Sequence, residues 1–193
     1  MSLLRIHVHK KAIRTLGISE SFNKRMSEKS ILAGVVMRSD LLIDGFIFSY
    51  NIVGGMDSTD NIIKMYKLLK RRDINFLMLN GCIISWYNVV DLNRIFETIG
   101  IPLLCITYRK SEGLDYFFKK NFPDDWKLRC EIYHKNGPRI LIELKSGHQI
   151  YTRFFGMTKN DMQTILEKYT LQGLIPEPLR ISRLLARSIN KTF

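Results

Sequence analysis

The chain is short of cysteine, histidine and proline, and it has far less acid than base. Three cysteines, Cys82, Cys105 and Cys130, with no Cys-x-x-Cys spacing, provide neither a disulfide framework nor a zinc cage, and they read as reduced core thiols. The four histidines leave little scope for transition-metal chemistry. His7 and His9 share one face of an extended segment beside Lys10 and Lys11, which reads as a solvated basic arm or as a weak metal pair without a third ligand. His134 and His148 fall on segments that read as hairpin strands. Five prolines and twelve glycines exclude a collagen-like or low-complexity chain, and 46% hydrophobic residues give enough apolar surface to offset the entropy of ordering. No apolar run reaches the ~18 residues of a spanning helix, because Arg38, Asp40 and Asp44 interrupt the longest candidate at 31–50. The start, MSLLRIHVHKKAIR, has no apolar stretch after its basic residues, which predicts a cytoplasmic protein.

What is abundant is positive charge. Thirty Lys+Arg against 18 Asp+Glu give a formal +12, and residues 1–118 carry +5 of it and 119–193 carry +7, so the excess belongs to the folded body. Such a field favours a polyanionic partner, because phosphate backbones release counterions when cations neutralise them. The length of 193 residues, with no repeat and no Gly/Ser or Pro-rich linker, predicts one domain over 1–193.

Alternating and continuous apolar runs predict strands at 12–20, 31–38 and 42–50, the last two joined by a turn at Ser39-Asp40, as an antiparallel meander. Helical spacing follows at 57–72, where Ile62, Ile63, Tyr66 and Leu69 oppose Lys64, Lys67, Lys70 and Arg71, with Asp57 or Ser58 as N-cap. A buried strand at 74–79, a helix at 88–98 ended by Gly100 and a strand at 101–107 read as a parallel crossover. A short helix is expected at 112–122, a hairpin of 130–134 with 140–144 around Asn136-Gly137, and a strand at 149–155. Two helices close the chain: 158–169, with a Thr-x-x-Asp start, and a helix to about 189 entered through Pro176-Glu-Pro178. A meander followed by alternating helices and strands predicts a three-layer α/β fold, a mixed sheet with helices on both faces.

Several constellations bear on function. Trp86-Tyr87-Asn88 follows a strand-end Asn80-Gly81 turn and reads as a base-stacking platform or as a cap on the core. Asp91 lies one helical turn beyond, and Arg109-Lys110 ends the next strand, as a phosphate clamp or as ion-pair partners for Asp57 and Asp91. Arg180, Arg183, Arg187 and Lys191 recur at spacings of three and four on the last helix, forming a phosphate-tracking stripe or an ordinary solvated face. Gly54-Gly55 lacks the spacing of a phosphate-binding loop and reads as a tight turn or an anion site at a helix start. Ser85 and Ser146 lack the context of a hydrolase nucleophile.

Five strings are more specific when taken together: Arg14-Thr-Leu-Gly-Ile-Ser-Glu20, Leu32-Ala-Gly-Val-Val-Met-Arg38, Val53-Gly-Gly-Met-Asp-Ser-Thr59, Asn80-Gly with Tyr87-Asn-Val-Val-Asp91, and Pro176-Glu-Pro-Leu-Arg180. In this order, over nearly the whole chain, they resemble the archaeal family called domain of unknown function 99, a divergent relative of endonuclease V. The resemblance implies a ribonuclease H-like fold of the endonuclease V type, in which strand-end carboxylates hold a divalent metal, Mg²⁺ or Mn²⁺, against a scissile phosphate. The family's four catalytic positions, three carboxylates and a late His, then fall on Ser19, Asp57, Asn80 and Met157. Glu20 matches a second acidic position of the same turn. Adjacent strand residues face opposite sides, so Glu20 replaces Ser19 in place only if a bulge intervenes. The resemblance thus implies a nucleic-acid-binding protein with a degenerate metal-dependent nuclease site. Two alternatives stay open: an endonuclease using Glu20, Asp57 and Asp91 as a rearranged carboxylate set with Mg²⁺ or Mn²⁺, and an interaction module for an acidic protein partner.

Overall fold

The computed structural model describes residues 8, 10, 12–23 and 28–192, so His7 and His9 lie outside the described residues. β1 (Arg14–Ser21), β2 (Lys29–Arg38) and β3 (Ile43–Ile52) form the antiparallel meander. After α1 (Ser58–Leu68) comes β4 (Phe76–Asn80), parallel to β1. A small separate hairpin of β5 (Ile83–Ile84) and β6 (Asn88–Val89) precedes α2 (Leu92–Ile99), and β7 (Leu103–Thr107) completes the parallel crossover beside β4. Then follow α3 (Asp115–Asn121), α4 (Trp126–Lys135), the antiparallel pair β8 (Ile140–Glu143) and β9 (Gln149–Phe155), α5 (Lys159–Tyr169) and α6 (Glu177–Thr192). The main sheet has seven strands in the order β3-β2-β1-β4-β7-β9-β8.

Strand parity divides the core into two layers. Leu16 and Ile18 of β1 and Leu77 and Leu79 of β4 pack with Ile62 and Ile63 of α1 and Leu92 and Ile95 of α2. On the other face Phe76 and Met78 pack with Met162, Ile165, Leu166 and Tyr169 of α5 and Leu179 of α6. Each fully buried large side chain contributes about 1.5–3 kcal/mol, so the helices are held by their apolar stripes and the strand ends are left free for polar work. Gly17 fixes the approach of α6, because a Cβ there would lie 2.4 Å from Pro178 Cβ, and the helix start therefore rests directly on the β1 backbone.

Three local expectations change. Residues 130–134 are part of α4, not a strand: Cys-Glu-Ile-Tyr-His alternates with period two, but Arg129 and Tyr133, four apart, are the buried pair. Asn136 and Gly137, expected as a hairpin turn, end that helix, with Gly137 at φ 75°. β8 pairs instead with β9, and His134 is helical, paired with Asp115 at 2.8 Å. Asn88 and Val89 belong to β6, so α2 begins only after Asp91, whose carboxylate accepts the Arg94 N–H at 2.9 Å. The Thr158–Asp161 capping box of α5 is present. Among the described residues no helix is long and apolar enough to cross a membrane.

Candidate nucleic-acid-binding cleft

A cleft of about 900 Å³ opens at the carboxyl ends of β1, β4 and β7, the edge where open α/β sheets place their ligands. Its lining brings together Glu20, Asn80, Cys82 and Tyr108 with six cations: Arg109, Lys110, Arg139, Arg153, Arg183 and Arg187. Glu20 is the one carboxylate among these lining residues. Arg153, 7% exposed, is anchored by Nε to the Gly137 carbonyl at 2.7 Å and donates from Nη1 to Cys82 Sγ at 3.2 Å. Arg139 donates to the Arg109 and Ser111 carbonyls and lies over the Tyr151 ring. Both guanidinium groups are thus fixed at the wall before any ligand arrives, which lowers the ordering cost of binding an anion.

β1 pairs with β2 in unbroken register through Ser21, so Ser19 and Glu20 face opposite sides. Ser19 turns toward α6: its hydroxyl donates to the Leu179 carbonyl at 3.0 Å and accepts from Ser182 at 2.8 Å. Glu20 turns the other way, into the cleft. Burial pushes its carboxyl up from 4.5 to about 7, although a Ser85 backbone hydrogen bond and the charge of Arg183 oppose the shift. Its Oε2 is buried without a hydrogen-bond partner, as is the Tyr108 hydroxyl on the same cleft. Burial also pushes the Tyr108 phenol up. Cys82 behaves oppositely: a hydrogen bond from Cys105, then the Arg153 charge, hold its thiol below the ordinary value.

Ser19, Glu20 and Asn80 all contribute to the lining of a narrow crevice beside Ile62, and the other expected site residues are dispersed. Asp57 is not among the residues lining the cleft or the crevice. Its carboxylate accepts from the Ile52 N–H, from Asn61 Nδ2 at 2.9 Å and from Asn88 Nδ2 at 2.6 Å, tying β3, α1 and β6 together. Met157 is 3% exposed in the apolar layer under α5. Asp91 caps α2 and faces Lys135 at 3.4 Å. Arg183 and Arg187 line the cleft, whereas Arg180 pairs with Glu177 at 2.6 Å and Lys191 is exposed near the helix end. The four cations of α6 therefore divide between two roles.

Trp86 and Tyr87 are half-buried rather than exposed. With Ser85 they form three successive left-handed residues, φ 46°, 57° and 64°, a costly backbone for side chains with a Cβ. Buried Arg129 secures the turn by donating to the carbonyls of Gly54, Gly55 and Tyr87 while paired with Asp125. Gly54-Gly55 is accordingly a tight turn: its amides donate to Ser85 and Ile52, and its carbonyls face a cation. Sequence reasoning missed Arg139, Arg153, Tyr108 and Arg129. The available signal was Arg153 within the apolar strand Gln-Ile-Tyr-Thr-Arg-Phe-Phe, where an unpartnered cation is disfavoured.

An antiparallel meander leading into a parallel crossover, with helices on both faces and a polar cleft at the shared strand ends, defines a ribonuclease H-like fold of the endonuclease V type. Human endonuclease V superposes with a TM-score of 0.65 at 13% identity, over 100% of this chain and 92% of that one. The Ciona intestinalis endonuclease V, solved with a 24mer DNA containing an inosine followed by a ribo-adenosine, gives 0.65 at 12% identity, over 94% and 87%. Within that class the chain belongs to the endonuclease dU family, whose profile matches residues 11–190. A UPF0215 protein of Pyrobaculum aerophilum is 36% identical over 173 residues, 89% of this chain and 91% of the relative. A protein of unknown function from Archaeoglobus fulgidus has a solved structure with TM-score 0.78 and 27% identity, over 92% and 98% of the two chains.

Proposed function

We propose that the protein binds nucleic acid through the strand-end cleft and does not cut it by the divalent-metal chemistry of endonuclease V. The carrying observation is the charge around the cleft, six cations facing one carboxylate. Mg²⁺ and Mn²⁺ are held by several anionic oxygens. Among the described residues no three His, Cys, Asp or Glu side chains gather where they could hold a metal ion. Glu20 favours its neutral form up to about pH 7, and the Ser19 hydroxyl is engaged with α6. These donors do not fit a divalent ion, and the same cations that repel it attract phosphate oxygens.

The family's name points to deoxyuridine and the Ciona neighbour was solved on an inosine strand, so both lesions belong in the assay. With labelled strands carrying deoxyuridine, inosine or neither, the protein with Mg²⁺ is expected to bind and leave every strand intact. The rearranged set Glu20, Asp57 and Asp91 makes the opposite prediction. Metal-dependent cleavage abolished by Asp57→Ala establishes that set and overturns the degenerate-site reading. Binding of an acidic protein in preference to any oligonucleotide overturns the nucleic-acid reading.

A further inference from the structure

A ladder of aromatic rings leads from the left-handed turn to the surface of α3. Trp86 and Tyr87 have centroids 6.5 Å apart, Tyr87 stacks on Phe117 at 6.2 Å with 13° between planes, and Phe117 meets Tyr116 edge-on at 5.5 Å. The outer two rings are open to solvent, Tyr116 at 68% and Phe117 at 43%. Cations lie along the same helix and its neighbour: Lys120 Nζ is 5.8 Å from the Tyr116 ring, and Lys119 and Lys127 are 5.6 and 5.9 Å from the ring of Trp126 at the start of α4. Neither core packing nor the cleft accounts for two exposed rings among lysines. Exposed aromatics framed by cations match a polyanion that carries flat apolar groups of its own.

We propose that α3 is a base-stacking platform for single-stranded nucleic acid, with Tyr116 and Phe117 receiving unpaired bases and Lys119 and Lys120 the flanking phosphates. This rests on the proposed binding of nucleic acid in the cleft. Leu114, immediately before α3, lines that cleft, so a strand leaving the cleft passes directly onto the helix. The buried Arg129 holds the Tyr87 carbonyl and Tyr87 stacks under Phe117, so the inner rung is in place before a base arrives, which lowers the ordering cost of stacking.

The test uses the full chain and a single-stranded oligonucleotide carrying 2-aminopurine, whose fluorescence falls on stacking. Tyr116→Ala and Phe117→Ala are expected to weaken binding roughly tenfold each and to abolish the quench. Tyr116→Phe is expected to keep both, and affinity for inorganic tripolyphosphate is expected to stay unchanged. Both alanine variants are surface truncations, and an unchanged melting temperature confirms that they fold. If the wild-type protein binds and quenches but the alanine variants match it, the platform is refuted while the cleft reading stands. Equal losses toward tripolyphosphate or polyglutamate, which carry charge without bases, also overturn it. If the wild-type protein binds no oligonucleotide at any salt, the proposed function itself has failed.

Discussion

Replacing Glu20 by Gln isolates the cost of burying a carboxylate in the cleft. Burial raises the Glu20 pKa from 4.5 to about 7, so the folded protein holds this proton more tightly than the unfolded chain does. No penalty exists below the unfolded value. Stability is lost as pH rises from there, and the loss is complete above the folded value. The gap corresponds to at most about 3 kcal/mol. Gln keeps the shape and cannot ionise, so at about pH 8 Glu20→Gln is expected to raise the melting temperature by roughly 6–12 °C, at the 2–4 °C per kcal/mol of a chain this size. At about pH 4, where wild-type Glu20 is already protonated in the folded state, the two proteins are expected to melt together. Thermal or urea unfolding at both pH values in EDTA reads this directly. A variant destabilised at the higher pH refutes the reasoning, because it means that Arg183 or another cation makes the ionised Glu20 a net stabiliser. An equal shift at both pH values also refutes it, since the effect is then unrelated to charge.

Three further outcomes follow from contacts. Gly17→Ala drives a Cβ to 2.4 Å from Pro178, and is expected to cost about 1–3 kcal/mol through overpacking and to weaken oligonucleotide binding by shifting Arg183. Normal stability in urea unfolding contradicts this. Arg129→Met leaves three carbonyls without their donor and is expected to cost about 3–5 kcal/mol, with early hydrogen exchange at residues 85–87; full protection there contradicts the proposed staple. In calorimetry, Asn80→Asp, which adds a second carboxylate to the lining of the cleft, is expected to raise Mn²⁺ affinity more than Ser19→Asp, which places its charge against the Leu179 carbonyl. The reverse order shows that position 19, not 80, governs metal binding.

The main fold was legible because its strands and helices carry clean periods. The meander, the crossover and the capping box of α5 each have a local chemical signature, and their order is that of the fold class. The failures came where tertiary contacts outweigh a local pattern. Residues 130–134 alternate like a strand, but Arg129 must reach three carbonyls of distant turns, and only a helix aims it there. The cleft was partly legible: Glu20, Asn80, Arg109, Lys110, Arg183 and Arg187 line it as a group. Asp57 and Met157 are placed elsewhere, because strand and helix ends that follow one another in the family pattern need not turn their side chains to the same side. Nothing short of strand parity separates Ser19 from Glu20, and no sequence period reports that Arg139, just before β8, and Arg153 of β9 converge.

The central claim is that clustered cations, not a metal, hold nucleic acid at the strand ends. Anisotropy of a labelled single strand titrated with salt in EDTA tests it most directly. Six phosphate contacts predict binding without any metal and a slope of log K against log salt of roughly −4 in EDTA, with no gain in affinity when Mn²⁺ replaces EDTA. Binding that requires Mn²⁺, or a slope near zero, contradicts the account.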